Sequence, residues 1–189
     1  MLIAFHKPYR VLSQFTKEIG SISRTLAEFD FPQNVYPLGR LDADSEGLLL
    51  LTDEPELNYK LLHPKFNHSR TYLVQIENIP SNENIQTIQK GVIIQGYKTL
   101  PCSVKLLNTS PEIKERNPPV RLRATIPTSW IEIELTEGKN RQVRRMTAAI
   151  GHPTLRLIRI KIGEFMLGDL PEGTWQEVNS KDRQKIFTM

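Results

Sequence analysis

The sequence has a single cysteine, Cys102, among its 189 residues. An internal disulfide and a cysteine-based metal site are therefore excluded, and a reducing compartment suits the chain. No apolar run approaches the roughly 18 residues that a membrane-spanning helix needs, so a soluble protein with no membrane partner is expected. The opening Met1-Leu2-Ile3-Ala4-Phe5-His6-Lys7-Pro8 carries no basic segment ahead of its short apolar run, which excludes an ordinary signal peptide and makes the cytoplasm the expected location. The four histidines show no metal-ligand spacing. Internal repeats and low-complexity tracts are absent as well.

What is present is the composition of a globular domain: 39% hydrophobic and 24% charged residues, close to the soluble average and long enough to bury a sizeable core. The formal net charge is only +4, but the cations are unevenly spread. Between Lys139 and Gly163 lie Lys139, Arg141, Arg144, Arg145, Arg156, Arg159 and Lys161, with no acidic residue among them. That distribution suits a polyanionic partner. A solvated surface with scattered cations is the plain alternative.

Short apolar runs alternate with brief helical patterns and no regular βαβ period. Strands are expected at Leu2 to Phe5, Val35 to Leu38, Gly47 to Thr52, Arg70 to Glu77, Val92 to Ile94, Ser103 to Leu107, Trp130 to Thr136 and Leu155 to Ile162. Helices are expected at Ser23 to Phe29, after an Asp53 cap as far as His63-Pro64, from Ser81 to Lys90 with Gly91 as the stop, from Asn140 to Ile150 with Gly151 as the stop, and from Ser180 onward. Asn108 to Pro119 reads as a mobile loop or a connection between lobes. The expected fold class is α+β, with a mixed or antiparallel sheet and flanking helices, as one domain over residues 1–189 or as two lobes around a cleft.

The most unusual segment is Gly39-Arg40-Leu41-Asp42-Ala43-Asp44-Ser45-Glu46-Gly47-Leu48. Asp42, Asp44, Glu46, Gly47 and Asp53 fall at positions 1, 3, 5, 6 and 12 of the EF-hand template. The fifth and twelfth residue types depart from that template, and Leu48 to Leu51 reads as a buried strand where a loop is required. A second reading is a polar turn in which short acidic side chains cap backbone N–H groups. A third is a reactive carboxylate on a loop at a strand end, kept ionised by nearby cations and able to act as nucleophile or base.

Gly39-Arg40-Leu41-Asp42-x-x-Ser45-x-Gly47-Leu48 resembles the central signature of the RsuA family of pseudouridine synthases. Three further segments resemble that family's motifs: Phe5-His6-Lys7-Pro8-x-x-Val11-Leu12-Ser13, Arg70-Thr71-Tyr72-Leu73-Val74, and Glu137-Gly138-Lys139-Asn140-Arg141-Gln142-Val143-Arg144-Arg145-Met146. The resemblance implies a pseudouridine synthase fold with a central RNA-binding cleft. It implies that Asp42 is the catalytic carboxylate, that Tyr72 is the active-site tyrosine, and that Arg144 forms an ion pair with the catalytic Asp. It also implies that Arg40 supports the flipped-out nucleotide, that Leu157 packs on the target ring or on Tyr72, and that Lys7 begins a loop close to the active site.

Helical geometry supplies an independent point. At about 100° per residue, Val143, Met146, Thr147 and Ile150 share one face, Arg141 and Arg145 lie opposite, and Arg144 falls on the border. Arg141 and Arg145 are then expected against phosphates, and Lys139 and Arg159 are further candidate substrate-binding residues. The segment Leu155 to Gly163 alternates apolar and basic residues in part, as a strand with one buried and one RNA-facing side would.

The activity implied is isomerisation of a uridine in ribosomal RNA, most readily 23S rRNA, because the chain opens on the first catalytic motif without the S4 domain that many members carry. No metal, nucleotide or redox cofactor is required, and a monomer is expected. A 16S rRNA or tRNA substrate, and a non-catalytic rRNA-binding assembly factor, are the alternatives at this point.

Overall fold

A computed structural model describes residues 1–17, 19–20 and 22–187. The chain divides into two compact units, Met1–Arg70 together with Ile158–Met189, and Thr71–Leu157. The first unit begins with β1 (Leu2–Lys7), β2 (Val11–Leu12), β3 (Arg24–Thr25), a 3-10 turn (Leu26–Glu28), β4 (Tyr36–Pro37), β5 (Glu46–Thr52), α1 (Glu56–Leu62) and a second 3-10 turn (Pro64–Phe66). Next come β6 (Arg70–Glu77), α2 (Asn82–Gln89), β7 (Ile93–Ile94), β8 (Tyr97–Lys98), β9 (Ser103–Leu106), β10 (Thr128–Leu135) and α3 (Gln142–Ala149). The chain ends with β11 (Thr154–Ile162), β12 (Phe165–Met166), β13 (Trp175–Glu177) and α4 (Ser180–Phe187). The class is α+β.

In the first unit the strand order is β13, β1, β5, β11. β1 runs antiparallel to β13 and β5, whereas β5 runs parallel to β11, so the sheet is mixed. Both faces are covered, which is why β1 and β5 are buried along almost their whole length. The two-residue period divides them: Leu2, Ala4, Leu48 and Leu50 share a core with Leu57 and Leu61 of α1 and Ile186 of α4. On the other face Phe5 meets Phe29 and Phe31, with ring centroids 4.9 and 5.0 Å apart. Such aromatic pairs contribute about 0.5–1.5 kcal/mol each beyond their buried area.

That aromatic cluster corrects the expected Ser23 to Phe29 helix. Thr25 is extended, Arg24 pairs with Glu28 at 2.8 Å, and only one 3-10 turn follows before Phe29 is drawn against Phe5. The Asp53 cap is corrected too. Glu54 N–H donates to Thr52 Oγ1 at 3.1 Å, Pro55 precedes the first helical residue, and the Asp53 carboxylate accepts from the Met1 ammonium.

In the second unit β10 lies between β6 and β9, antiparallel to β9. Val74 and Ile76 of β6, Ile131 and Ile133 of β10, Ile88 of α2, and Val143 and Met146 of α3 form its core. Ser81 caps α2, accepting from Asn84 N–H, and Gly91 ends the helix at φ +89°. Asn108 to Pro119 is irregular, as expected, but lies wholly within this unit. It is no lobe connection, because the chain changes unit at Arg70–Thr71 and Leu157–Ile158.

Candidate active site

In the first unit the acidic segment forms the turn that enters β5. Ser45 N–H donates to Asp42 O at 3.0 Å, and Arg10 N–H donates to Ala43 O at 2.7 Å. The buried Ser13 hydroxyl donates to Leu41 O at 2.7 Å and accepts from Leu41 N–H at 3.0 Å. The polar backbone on either side of Asp42 is thereby tied, while the Asp42 side chain is half-buried and Arg40 beside it is exposed. β5 spans Glu46–Thr52, and extended chain rises about 3.3 Å per residue. Asp42 and Asp53 therefore stand at opposite ends of a strand, so a twelve-residue calcium loop is ruled out. Among the described residues no three His, Cys, Asp or Glu side chains are grouped to hold a metal ion.

Register explains the glycine of the motif. Lys7 of β1 pairs with Gly47 of β5, and Gly47 pairs in turn with Arg159 of β11. Gly47 adopts φ +102°, and a Cβ there would stand 2.3 Å from the Arg159 carbonyl oxygen. Only glycine fits. The row leaves two cations deeply buried: Lys7 is 0% exposed and Arg159 is 4% exposed. Lys7 Nζ donates to Pro8 O at 2.9 Å and Val11 O at 2.7 Å, and Arg159 Nε donates to Leu48 O at 2.7 Å.

Burial pulls the Lys7 ammonium down to about 7, with Arg159 adding to that effect, while Glu46, Asp44 and Asp42 act in the opposite direction. Lys7 and Arg159 are thus the basic groups buried beside the end of β5 that carries the acidic turn. The expected RNA-facing side of the strand that carries Arg159 is corrected, since a strand covered on both sides buries that residue, and Lys7 is buried at the same level of the sheet. Arg156 is also buried, with Nη1 donating to Lys114 O at 2.9 Å.

In the second unit Tyr72 is half-buried against the core that holds Leu157, Val143 and Met146. The preceding Thr71 hydroxyl donates to Glu134 Oε2 at 3.0 Å, fixing the strand at that point. Val143, Met146 and Thr147 of α3 are buried, Ile150 is half-buried, and Arg144 is half-buried on the helix border, as the helical spacing indicates. Arg141 enters the helix at φ +51° and is exposed.

The turn before α3 is organised by a residue to which the sequence reading gave no role. Glu137 accepts from the Tyr97 hydroxyl at 2.7 Å, Leu100 N–H at 2.7 Å and Gln142 Nε2 at 2.6 Å. Gln142 in turn accepts from Lys139 N–H at 2.8 Å. Arg145 donates to Asn140 O and, at 2.8 Å, to Asn140 Oδ1, and Lys139 Nζ sits 4.8 Å from the centroid of the Tyr97 ring. Two cations, Lys139 and Arg145, are therefore held at one turn by the uncharged Tyr97 and Asn140.

The family model for RNA pseudouridylate synthases matches residues 1–149. The chain belongs to the RNA pseudouridylate synthase family. It is a pseudouridine synthase, an isomerase of uridine in RNA. A protein of Xanthomonas campestris pv. campestris named "Ribosomal large subunit pseudouridine synthase E" is 48% identical over 176 residues, covering 93% of this synthase and 94% of that protein. A protein of the same name from Vibrio parahaemolyticus is 49% identical over 177 residues, covering 94% of this chain and 73% of that one. Among solved structures, one described as "Crystal structure of pseudouridylate synthase" matches with a TM-score of 0.81 and 25% identity, over 98% of this chain and 73% of that chain.

Ser13, Glu137, Asn140 and Gln142 of the synthase all fall inside segments that carried the resemblance. Their polar side chains beside tight turns were the available signal. No helix among the described residues is long and apolar enough to cross a membrane.

Proposed function

We propose that this synthase converts one uridine of large-subunit (23S) ribosomal RNA to pseudouridine, with Asp42 as its catalytic carboxylate. The observation that carries the reading is the 48–49% identity, over more than nine-tenths of the chain, to proteins named for the large ribosomal subunit. The fixed backbone of the acidic turn supports the choice of Asp42, since Asp44 and Glu46 lack the motif position. The two units, residues 1–189, work as one catalytic domain, a monomer in the cytoplasm.

Pseudouridine formation breaks the bond from ribose to N1, turns the uracil and rejoins it through C5. Reactant and product hold the same atoms, so no oxidant, reductant or co-substrate enters the balance. The uridine first leaves its stack, at a cost of a few kcal/mol that stacking and hydrogen bonds in the pocket offset. An ionised Asp42 then attacks C1′ or C6, or removes a ribose proton, and each route needs the carboxylate at the sugar-base junction. Tyr72 offers a flat ring for the base and a phenolic oxygen that takes the C5 proton as it passes its own proton to solvent, with Leu157 as its apolar neighbour. Arg144 orients the carboxylate, and Arg40 supports the displaced nucleotide. Lys139, Arg141 and Arg145 contact phosphates, so binding weakens steeply with salt.

The test is pseudouridine mapping by carbodiimide labelling and primer extension on unmodified 23S rRNA, with the wild type, Asp42→Asn and Asp44→Asn. One new site is expected with the wild type and with Asp44→Asn, and none with Asp42→Asn. Equal losses in both variants would sink the assignment of Asp42. A site found only in 16S rRNA or tRNA would move the substrate.

A further inference from the structure

We propose that Ser13 is a positioning residue for the reaction: its hydroxyl fixes the peptide planes on both sides of Leu41 and so sets where the Asp42 carboxylate stands. The proposal rests on the reading of Asp42 as the catalytic carboxylate. Ser13 is 5% exposed and Leu41 is 6% exposed, so water is a poor substitute for either bond of the clamp. One hydroxyl serves both polar backbone groups of the residue immediately before Asp42, as donor to Leu41 O at 2.7 Å and as acceptor from Leu41 N–H at 3.0 Å. Rotation of Leu41 would break both bonds together.

The clamp belongs to a larger bracket. Arg10 N–H holds Ala43 O at 2.7 Å, one residue beyond Asp42. Arg10 and Ser13 lie on the same short segment, which Lys7 closes through its bonds to Pro8 O and Val11 O. The first motif thus grips the chain before and after Asp42. Arg10 and Ser45 contribute backbone N–H groups to this bracket, whereas Ser13 contributes a side chain. Replacing Ser13 therefore removes one tie and leaves the others standing.

A reacting group displaced by about 1 Å can lose on the order of a hundredfold in rate. Ser13→Ala should accordingly lower the single-turnover rate about 10–100-fold while the RNA Kd stays within about twofold, and the Leu41 amide should exchange its hydrogen faster. Ser13→Cys, of similar size but with a weak hydrogen-bonding group, should fall between wild type and Ser13→Ala. It also serves if the alanine variant does not fold. A folded Ser13→Ala with wild-type rate, a wild-type rate in Ser13→Cys, unchanged Leu41 exchange, or a loss of affinity that accounts for the loss of rate would each overturn the proposal. Asp42→Asn is assayed in parallel. Activity in that variant refutes the reading of Asp42, whereas an inactive Asp42→Asn beside an unimpaired Ser13→Ala refutes only the role of Ser13.

Discussion

Around Asp42 the chain is held by the backbone N–H groups of Arg10 and Ser45, by one small hydroxyl, that of Ser13, and by the close approach of Gly47 to Arg159. Around Lys139 and Arg141 it is held by side chains, with the Glu137 carboxylate gathering Tyr97, Leu100 and Gln142. The two motif segments therefore have different vulnerabilities. The acidic turn depends on space, since it fits only where one position lacks a side chain. The cationic turn depends on chemical identity, because three donors converge on one acceptor that a smaller residue cannot replace.

The sharpest way to break the first is Gly47→Ala. Its Cβ would overlap the Arg159 backbone at 2.3 Å, at a φ of +102°, so a loss of about 3 kcal/mol or more is expected, read as a large fall in Tm. Glu137→Ala breaks the second by removing the shared acceptor. With water able to reach part of the turn, about 1–3 kcal/mol should be lost, measured by urea unfolding, and RNA affinity should fall because Lys139 and Arg141 lose their fixed place.

A subtler contrast concerns the buried cation beneath the acidic turn. Folded Lys7 releases its proton near pH 7, whereas an unfolded lysine does so near 10.5. Across that window the unfolded chain binds more protons, so this site makes stability rise with pH. Lys7→Met should flatten that rise, which urea midpoints between pH 7 and 9.5 would reveal.

The smallest effect is expected outside both turns. Glu54 is held near pKa 2, chiefly by its hydrogen bonds with Arg183. A depressed carboxylate stabilises above its ordinary value of 4.5 and loses that contribution as pH falls toward 2. Arg183→Ala should cost up to about 1 kcal/mol at neutral pH, since the pair is partly exposed. The difference from wild type should close on acidification, and the rate of modification should not change.

Much of this was legible in the sequence where local pattern and packing agree. The alternation in Arg70 to Glu77 gave β6 to the residue, and the spacing of Val143, Met146 and Thr147 gave the buried face of α3. The carboxylate turn was visible as a crowd of acids between two apolar runs. What escaped depends on partners remote in the chain. Arg156 and Arg159 look like the wet side of a strand until covering elements bury them, and the Ser23 to Phe29 pattern yields to the pull of Phe5 on Phe29. Ser13 is a common residue near a proline, and its role appears only when Leu41, 28 residues away, arrives beside it.

The lone thiol has a practical consequence. Cys102 is held to about pKa 11, chiefly by burial, and its Sγ donates to Ile88 O at 3.4 Å, so near neutrality it is a poor nucleophile toward maleimides. The native cysteine can therefore stay in place while new ones are introduced at Tyr36 in the first unit and Ile93 in the second, which are 66% and 71% exposed. Dyes attached there would report by energy transfer how the separation of the two units responds when RNA is added, with the wild-type chain treated in parallel as the labelling control.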